Sequence, residues 1–194
     1  MRDVIRLGVI LLLICGVAAA VLAYVNDITE DRIAAQKALE EEHALQSVLA
    51  SAKDFRDETG KMKSYLTGPD SSIVRGIYVG YSGGKPVGVA VRVAPAGYGG
   101  PIESIVGISS DGVVQGVTVI SQQETPGLGA NVASPDFEGR FKGKVAGSPV
   151  KLTKDGGDIQ GLTGATISSR AVAKGVEAAL RTFQLMLSKG VLAK

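Results

Sequence analysis

Four short apolar runs, separated by glycine-containing segments, dominate the middle of the chain. Residues 73–81 and 86–93 flank a Ser-Gly-Gly-Lys segment, and residues 102–109 and 113–120 flank Ser-Asp-Gly. Runs rich in Val and Ile that are joined through such turns are typical of β-hairpins. The pattern therefore predicts two hairpins and, with helices before and after them, an α+β fold built on an antiparallel sheet.

The second half of the chain combines helical spacing with short irregular segments. Residues 135–141 predict a short helix, residues 150–152 a last strand, and residues 154–157 a tight turn. Apolar positions recur at helical spacing over residues 167–189, and Gly190 follows as the expected helix stop. The predicted core face of this terminal helix consists of Val172, Val176, Ala179, Leu180, Phe183 and Leu187.

The chain begins with a run that is long enough to cross a membrane. Residues 7–25 are 19 consecutive uncharged residues, which as a helix would span about 29 Å. Two arginines precede the run and three acidic residues follow it soon after, so the positive-inside rule predicts that residues 1–6 are cytoplasmic and that the rest of the chain is extracytoplasmic. A cleaved signal peptide with Ala18–Ala20 at its cleavage site is the alternative.

Residues 26–60 predict a helical stalk beyond the membrane segment, followed by a folded domain over residues 61–194. His43, the only histidine of the chain, is assigned to the surface of this stalk. The stalk's apolar face is predicted to consist of Ile33, Leu39, Leu45, Val48, Leu49 and Ala52.

Composition excludes several classes of function. The 194-residue chain has a net charge of +2, and it has no Lys/Arg-rich run with interleaved aromatic residues, so nucleic-acid binding is disfavoured. With one Cys, one His and no second His or Cys near His43, a metal site or a His-based catalytic triad has little support, and no ligand set for an iron–sulfur cluster or haem is visible. Neither a Walker sequence nor a Gly-x-Gly-x-x-Gly fingerprint is present, which disfavours a P-loop or a Rossmann fold.

The sequence Thr163-Gly-Ala-Thr166, directly before the terminal helix, is the strongest indication of chemistry. A helix start offers unpaired N–H groups and the positive end of the helix dipole, which together favour a phosphate. Thr163 is the predicted N-cap, Gly164 and Ala165 allow a ligand to approach the backbone, and Thr166 offers a hydroxyl at the phosphate position. The alternative is a small-residue helix cap that packs against a neighbouring element.

Two other segments could contribute to a site. Glu124-Thr-Pro-Gly-Leu-Gly129 predicts a loop that turns at Pro126 and Gly127, and taken alone it is a structural connection. Lys151 or Lys154 could pair with a phosphate, although a solvated surface lysine is the simpler interpretation of each.

The Thr-Gly-Ala-Thr-Ile-Ser sequence resembles the flavinylation motif of the FMN-binding domain family. The resemblance implies that Thr166 is joined through its oxygen to the phosphate of FMN, with residues 92–183 as the core of the FMN-binding region. The chain as a whole is similar to the family of G subunits of the Rnf ion-translocating electron-transport complex. A related family is that of the C subunits of the sodium-translocating NADH:quinone reductase.

The resemblance also assigns roles to the loop that begins at Glu124, which is similar to the second signature of the family. It implies that Glu124, Thr125, Gly127 and Leu128 contact the isoalloxazine. The family often has His where this chain has Gln122, and Asp where it has Gln160. Either Asp158, two residues earlier, substitutes for that Asp, or the position is not required.

The function that this resemblance implies is a covalent-FMN electron relay in a membrane complex that couples electron transfer between ferredoxin and NAD to ion movement. The other membrane subunits and a flavin transferase that uses FAD are the implied partners. The chain itself is expected to contribute no catalytic residue and no metal site. Alternatives are the equivalent subunit of the NADH:quinone reductase, the flavin domain of another extracytoplasmic electron-transfer system, a flavin-free tethered binding module, and a free-standing reductase.

Overall fold

A computed structural model describes residues 1–192 of the chain, which divides into two compact units, Met1–Glu41 and Glu42–Lys194. Helix α1 (Arg2–Val48) makes up nearly all of the first unit, and its last residues, 42–48, belong to the second. Within the described residues α1 is the one helix long and apolar enough to cross a bilayer; its most apolar window has a mean hydropathy of 2.7 and none of it is buried. These properties suggest a single-pass membrane anchor.

A five-stranded antiparallel sheet forms the centre of the second unit. Its strands are β1 (Asp54–Asp57), β2 (Val74–Ser82), β3 (Lys85–Val93), β4 (Glu103–Ser109) and β5 (Val114–Ser121), and each pairs with the next in the chain. The α+β fold and both predicted hairpins are therefore confirmed. The turn between β2 and β3 uses Gly83 and Gly84 at φ +58° and +78°, the backbone that a two-residue hairpin loop requires.

Short helices surround the sheet: α2 (Thr59–Met62), α3 (Pro69–Ile73) and α4 (Pro135–Gly139), with 3₁₀ turns at Lys63–Tyr65, Gly129–Ala133 and Thr153–Asp155. The terminal helix α5 (Thr166–Ser188) packs against β3 and β4. The main core lies between them and includes Val91, Val106, Val176, Phe137, Phe141 and Phe183, all at most 1% exposed.

Three predictions about local structure are wrong. The stalk helix ends at Val48, where the chain turns. Just before β1, the backbone N–H of Lys53 donates a hydrogen bond to the backbone oxygen of Tyr81 in β2. Residues 150–152 form no strand, since Leu152 makes only an isolated parallel bridge to Ile159. On α5 the core residue is Met186, which is fully buried, whereas Leu187 is 48% exposed.

The second face of the sheet is covered by the end of α1 and the turn after it. Ala44, Leu45, Val48, Leu49 and Ala52 form a small core with Ala90 and Ile105. Of the six residues predicted for the stalk's apolar face, Ile33 and Leu39 are exposed and the other four are buried. The sheet admits a helix backbone at this point because Gly107 of β4 has no side chain: a Cβ there would lie 2.1 Å from the backbone oxygen of Val48.

Replacing Gly107 with alanine is therefore expected to lower the free energy of unfolding of the second unit by about 1–3 kcal/mol, the usual cost of overpacking. Denaturant unfolding of the detergent-solubilised full chain measures the change. Gly139→Ala is the matched control, because a Cβ at Gly139 meets no atom within 4 Å. Equal midpoints for the Gly107→Ala variant and the wild type would contradict the close packing of Val48.

Candidate functional site

A cavity of about 600 Å³ opens at the N-terminal end of α5. It lies where the glycine-rich loop after β3, the loop after β5, the 3₁₀ turn at Thr153–Asp155 and the start of α5 meet. Its volume is in the range of small-molecule and cofactor sites. The cavity is lined by Tyr98, Glu124, Thr125, Leu128, Gly129, Lys154, Gly164, Ala165, Thr166, Ile167 and Ser168.

Thr166 is the first residue of α5, so its hydroxyl stands at the helix N-terminus. Neither this hydroxyl nor the N–H groups of Thr166, Ile167 and Ser168 have a hydrogen-bond partner within the described residues. The predicted N-cap role of Thr163 is wrong: the N-cap residue is Ala165, which has no capping side chain. The cause is Gly164, whose φ of +77° inserts a turn between Thr163 and the helix.

Ser169 holds this turn in place from the protein side. Its hydroxyl donates to the backbone oxygen of Ala165 at 2.9 Å and accepts from the N–H of Leu162 at 2.9 Å. One buried side chain thus contacts both ends of the segment from Leu162 to Ala165. The N–H groups of the first turn take no part in these contacts, and their availability fits an anionic ligand.

Glu124 connects three parts of the site. Its Oε1 accepts hydrogen bonds from the N–H groups of Tyr98 and Gly99, both at 2.9 Å, and its Oε2 accepts one from the hydroxyl of Ser168. Glu124 is only 5% exposed. Glu124 therefore connects the glycine-rich loop to α5, and both of its carboxylate oxygens are hydrogen-bonded to the protein.

The glycine-rich loop approaches Glu124 closely because its glycines have no side chains. A Cβ at Gly99 would lie 2.1 Å from the backbone oxygen of Gln123. Within the loop after β5, the side-chain oxygen of Gln122 accepts a 2.6 Å hydrogen bond from the backbone N–H of Glu124. Gln122 thus positions the backbone of the loop, a contact to which its amide oxygen is well suited.

Exposed apolar side chains surround the opening of the cavity. Tyr98 is 73% exposed, Leu128 47% and Ile167 51%, although all three lie beside buried segments. Leu128 faces the turn before α5, since a Cβ at Gly164 would lie 3.1 Å from its Cδ2 atom. Such a rim offers an apolar surface for a flat aromatic ligand.

Charged side chains near the site are mostly paired. Arg170 of α5 donates two hydrogen bonds to Asp155, at 2.8 and 2.7 Å, and the Arg170 guanidinium lowers the pKa of that carboxyl below its usual value. Asp158 pairs with Lys144, which likewise lowers the pKa of Asp158. Gln160 contributes its backbone oxygen to Arg140 at 2.6 Å. Neither Asp158 nor Gln160 lines the cavity.

The cavity brings together Glu124, Thr125 and Leu128 with Gly164, Ala165 and Thr166, all of them residues singled out from the sequence. Thr163 and Gly127 do not line it; Gly127 shapes the loop with a φ of +76°. Sequence reasoning missed Tyr98, Gly129, Ile167 and Ser168. The aromatic residue within an otherwise glycine-rich loop was the one available indication for Tyr98.

Comparisons with known proteins identify the family. Residues 97–181 match the FMN-binding domain family, and residues 1–48 match the RnfG N-terminal region. The chain is 37% identical to the G subunit of the Na(+)-translocating ferredoxin:NAD(+) oxidoreductase complex of Acetobacterium woodii, over 94% of this chain and 93% of that protein.

Two further relatives cover most of the chain. It is 36% identical to the G subunit of the ion-translocating oxidoreductase complex of Shewanella baltica, over 94% of this chain and 90% of that protein. It is 34% identical to the G subunit of the proton-translocating ferredoxin:NAD(+) oxidoreductase complex of Clostridium ljungdahlii, over 86% of this chain and 84% of that protein. The names of these relatives thus differ in the translocated ion.

A solved structure has the same fold. It is the C subunit of the Na(+)-translocating NADH-quinone reductase of Parabacteroides distasonis, which matches with a TM-score of 0.58 and 21% sequence identity, over 81% of this chain and 96% of that one. At this identity the match supports the fold alone.

Proposed function

Because the chain belongs to the family of G subunits of ion-translocating oxidoreductase complexes, we propose that it carries FMN covalently on Thr166 and relays electrons within such a complex. The main support is the hydroxyl of Thr166, which has no hydrogen-bond partner within the described residues. It stands at the start of α5, where no side chain caps the helix, and Thr166 lines the cavity of about 600 Å³. The FMN-binding domain at residues 97–181 contains this site.

The start of α5 suits the phosphate of FMN. Three backbone N–H groups that lack partners among the described residues, and the positive end of a 23-residue helix, favour a negative charge beside Thr166. Gly164, with its positive φ, leaves the approach to these donors free of a side chain. The phosphate would thus receive hydrogen bonds from the backbone and a covalent bond from the threonine oxygen.

The rim of the cavity suits the isoalloxazine. Leu128, Ile167 and Tyr98 offer exposed apolar surface that a flat ring would cover, and Thr125 adds a polar group in the same wall. The bound FMN supplies one- or two-electron transfer. The chain's own residues would bind the ring and shield part of it from water, and Glu124 would fix the glycine-rich loop and α5 on either side of it.

Attachment would require a separate flavin transferase with FAD as donor. The Thr166 oxygen forms a bond to the phosphorus on the riboflavin side, the P–O bond to the other phosphate breaks, AMP leaves, and the hydroxyl proton passes to the transferase. The step involves no change in oxidation state. Thr166 is then a modified residue and not a catalytic one, and the chain alone would turn over no soluble substrate.

We further propose that α1 anchors the chain in the cytoplasmic membrane with its N-terminus inside and the flavin unit on the extracytoplasmic side. The basic residues Arg2 and Arg6 before the apolar run, and the acidic residues after it, support this orientation. The partners would be the other membrane subunits of an Rnf-type complex that links ferredoxin and NAD, in line with the names of the relatives.

A second candidate is the equivalent flavin subunit of a sodium-translocating NADH:quinone reductase, or of another extracytoplasmic electron-transfer system. The fold shared with the Parabacteroides distasonis protein is compatible with this candidate and does not select it. The match of residues 1–48 to the RnfG N-terminal region and the near-full-length relatives favour the first.

Intact-mass measurement of the full chain tests the proposal, after expression in membranes with and without a flavin transferase of this family. We expect the mass to rise by one FMN less one water when the transferase is present, and the protein band to fluoresce after a denaturing gel. A chain that keeps the mass of its amino acids in the presence of an active transferase, checked on a known flavoprotein substrate, would refute covalent attachment.

A further inference from the structure

We propose that Lys154 is the positioning residue for the phosphate on Thr166: its ammonium group neutralises the FMN phosphate and, during attachment, the pyrophosphate of the donor FAD. This inference rests on the proposed covalent attachment and adds to it a named cation. Within the described residues, Lys154 is the sole cationic side chain in the wall of the cavity, where Thr166 also lies.

The backbone places Lys154 through a tightly folded turn. Residues 153–155 form a 3₁₀ turn, closed by hydrogen bonds from the N–H groups of Asp155 and Gly157 to the oxygen of Leu152 at 2.8 and 2.9 Å. Thr153 and Ile159 also pair, at 2.9 Å. Leu152 and Ile159 are each 1% exposed, so the base of the turn is fixed in the core while Lys154 extends from its exposed tip.

A second contact joins this turn to the helix that carries Thr166. Arg170 lies one helical turn after Thr166 and forms the two-point ion pair with Asp155, the neighbour of Lys154. Planar two-point pairing between a guanidinium and a carboxylate fixes direction as well as distance. The pair therefore holds the turn beside the first turn of α5, which explains how residue 154 comes to line the same cavity as residue 166.

Lys154 has no ion-pair or hydrogen-bond partner within the described residues, unlike the cations nearby that are held in ion pairs. Lys144 is occupied by Asp158, and Arg170 by Asp155. Lys151 is exposed and lines a different, smaller cavity of about 250 Å³ between the turn and α5. The two lysines lie three positions apart on the same segment, yet only Lys154 faces the Thr166 side, which makes Lys151 a natural control.

The electrostatic reason lies in the charge of the ligand. A phosphate diester keeps one negative charge at neutral pH, and the α5 N-terminus supplies only a partial positive charge. A flexible, compact ammonium group can follow a phosphate through attachment as a point charge. Since Lys154 is solvent-exposed, its contribution should be modest and should weaken as ionic strength rises.

The experiment compares full-length wild type, Lys154→Gln, Lys154→Arg and Lys151→Gln, each supplied with the same transferase and FAD. We expect Lys154→Gln to slow FMN incorporation about five-fold at low salt, with the difference shrinking at high salt. Lys154→Arg should restore most of the rate and Lys151→Gln should leave it unchanged, while all four chains unfold at the same temperature. Equal rates for Lys154→Gln and Lys151→Gln at every salt concentration would overturn the proposal.

A second measurement removes the contribution of the transferase. Each chain is flavinylated to completion, and the ³¹P resonance of the phosphodiester is recorded. Lys154→Gln should shift the resonance relative to wild type, whereas Lys151→Gln should not; equal spectra for all chains would count against a contact between Lys154 and the phosphate. Absence of FMN on the wild type would instead overturn covalent attachment itself, so the two failures are distinguishable.

Discussion

Replacing Thr166 with valine is expected to leave the chain without any covalent FMN. Valine has nearly the shape of threonine but no oxygen, so the bond to phosphorus cannot form while the start of α5 stays intact. Thr166 is half-buried and its hydroxyl makes no hydrogen bond within the described residues, so its loss should change the free energy of unfolding by less than about 0.5 kcal/mol. Intact mass and in-gel fluorescence measure the first effect, and thermal unfolding the second.

Thr163→Val is the matched control for that prediction. Thr163 has a hydroxyl in the same motif, but it is exposed and does not line the cavity. Its variant should acquire FMN as the wild type does. Fluorescent, denaturation-resistant flavin on the Thr166→Val chain would show that another residue is the acceptor.

Replacing Glu124 with alanine is expected to cost about 3 kcal/mol or more of the free energy of unfolding, and to lower FMN incorporation strongly. The substitution removes a buried acceptor of three hydrogen bonds and leaves the N–H groups of Tyr98 and Gly99 and the hydroxyl of Ser168 without it. Hydrogen bonds to a charged group contribute about 1.5–3 kcal/mol each, and unsatisfied buried donors add to the loss. Denaturant unfolding and intact mass report the two effects.

Glu124→Gln separates the hydrogen bonds from the charge. Its amide oxygen can still accept from Tyr98 and Gly99, and its amino group can donate to the hydroxyl of Ser168, which can turn to accept. We expect this variant to retain most of the stability and most of the flavin. Equal free energies of unfolding for Glu124→Ala and Glu124→Gln would show that the hydrogen bonds from Glu124 to the glycine-rich loop and α5 do not stabilise the fold.

The strands and α5 could be predicted from the sequence because local physics determines them. Val- and Ile-rich runs with Gly83 and Gly84 between them favour one hairpin geometry, and 3.6-residue spacing identifies a helix that packs on one side. Leu187 and Met186 show the limit of that reasoning. Both lie near the edge of the apolar face, and which of the two is buried depends on the neighbouring elements.

The helix end after Val48 and the missing strand at residues 150–152 depend on contacts distant in sequence. Apolar spacing alone could not reveal that residues 54–57 would pair with β2, nor that Leu152 would make a single isolated β-bridge, to Ile159. A clearer indication was available in Gly107 and Gly116, which face Val48 from neighbouring strands. Two glycines in register leave a depression that a helix backbone can fill.

The candidate site was only partly predictable for a similar reason. Thr166 and the loop from Glu124 to Leu128 were identified through a motif and a resemblance, but the role of Glu124 as a tie follows from three-dimensional contacts alone. The same holds for Lys154, which is placed beside Thr166 by an ion pair between Asp155 and Arg170. No spacing rule encodes either arrangement.

The order in which the strands pair has a consequence for the timing of cofactor attachment. Each strand of the sheet joins its neighbour in sequence, so the sheet can assemble from nearby segments, a topology associated with rapid folding. The cavity, in contrast, needs segments from residue 98 to residue 168 in their final places. We therefore expect the flavin to be attached after folding, so that covalently bound flavin would mark chains that have already reached the folded state.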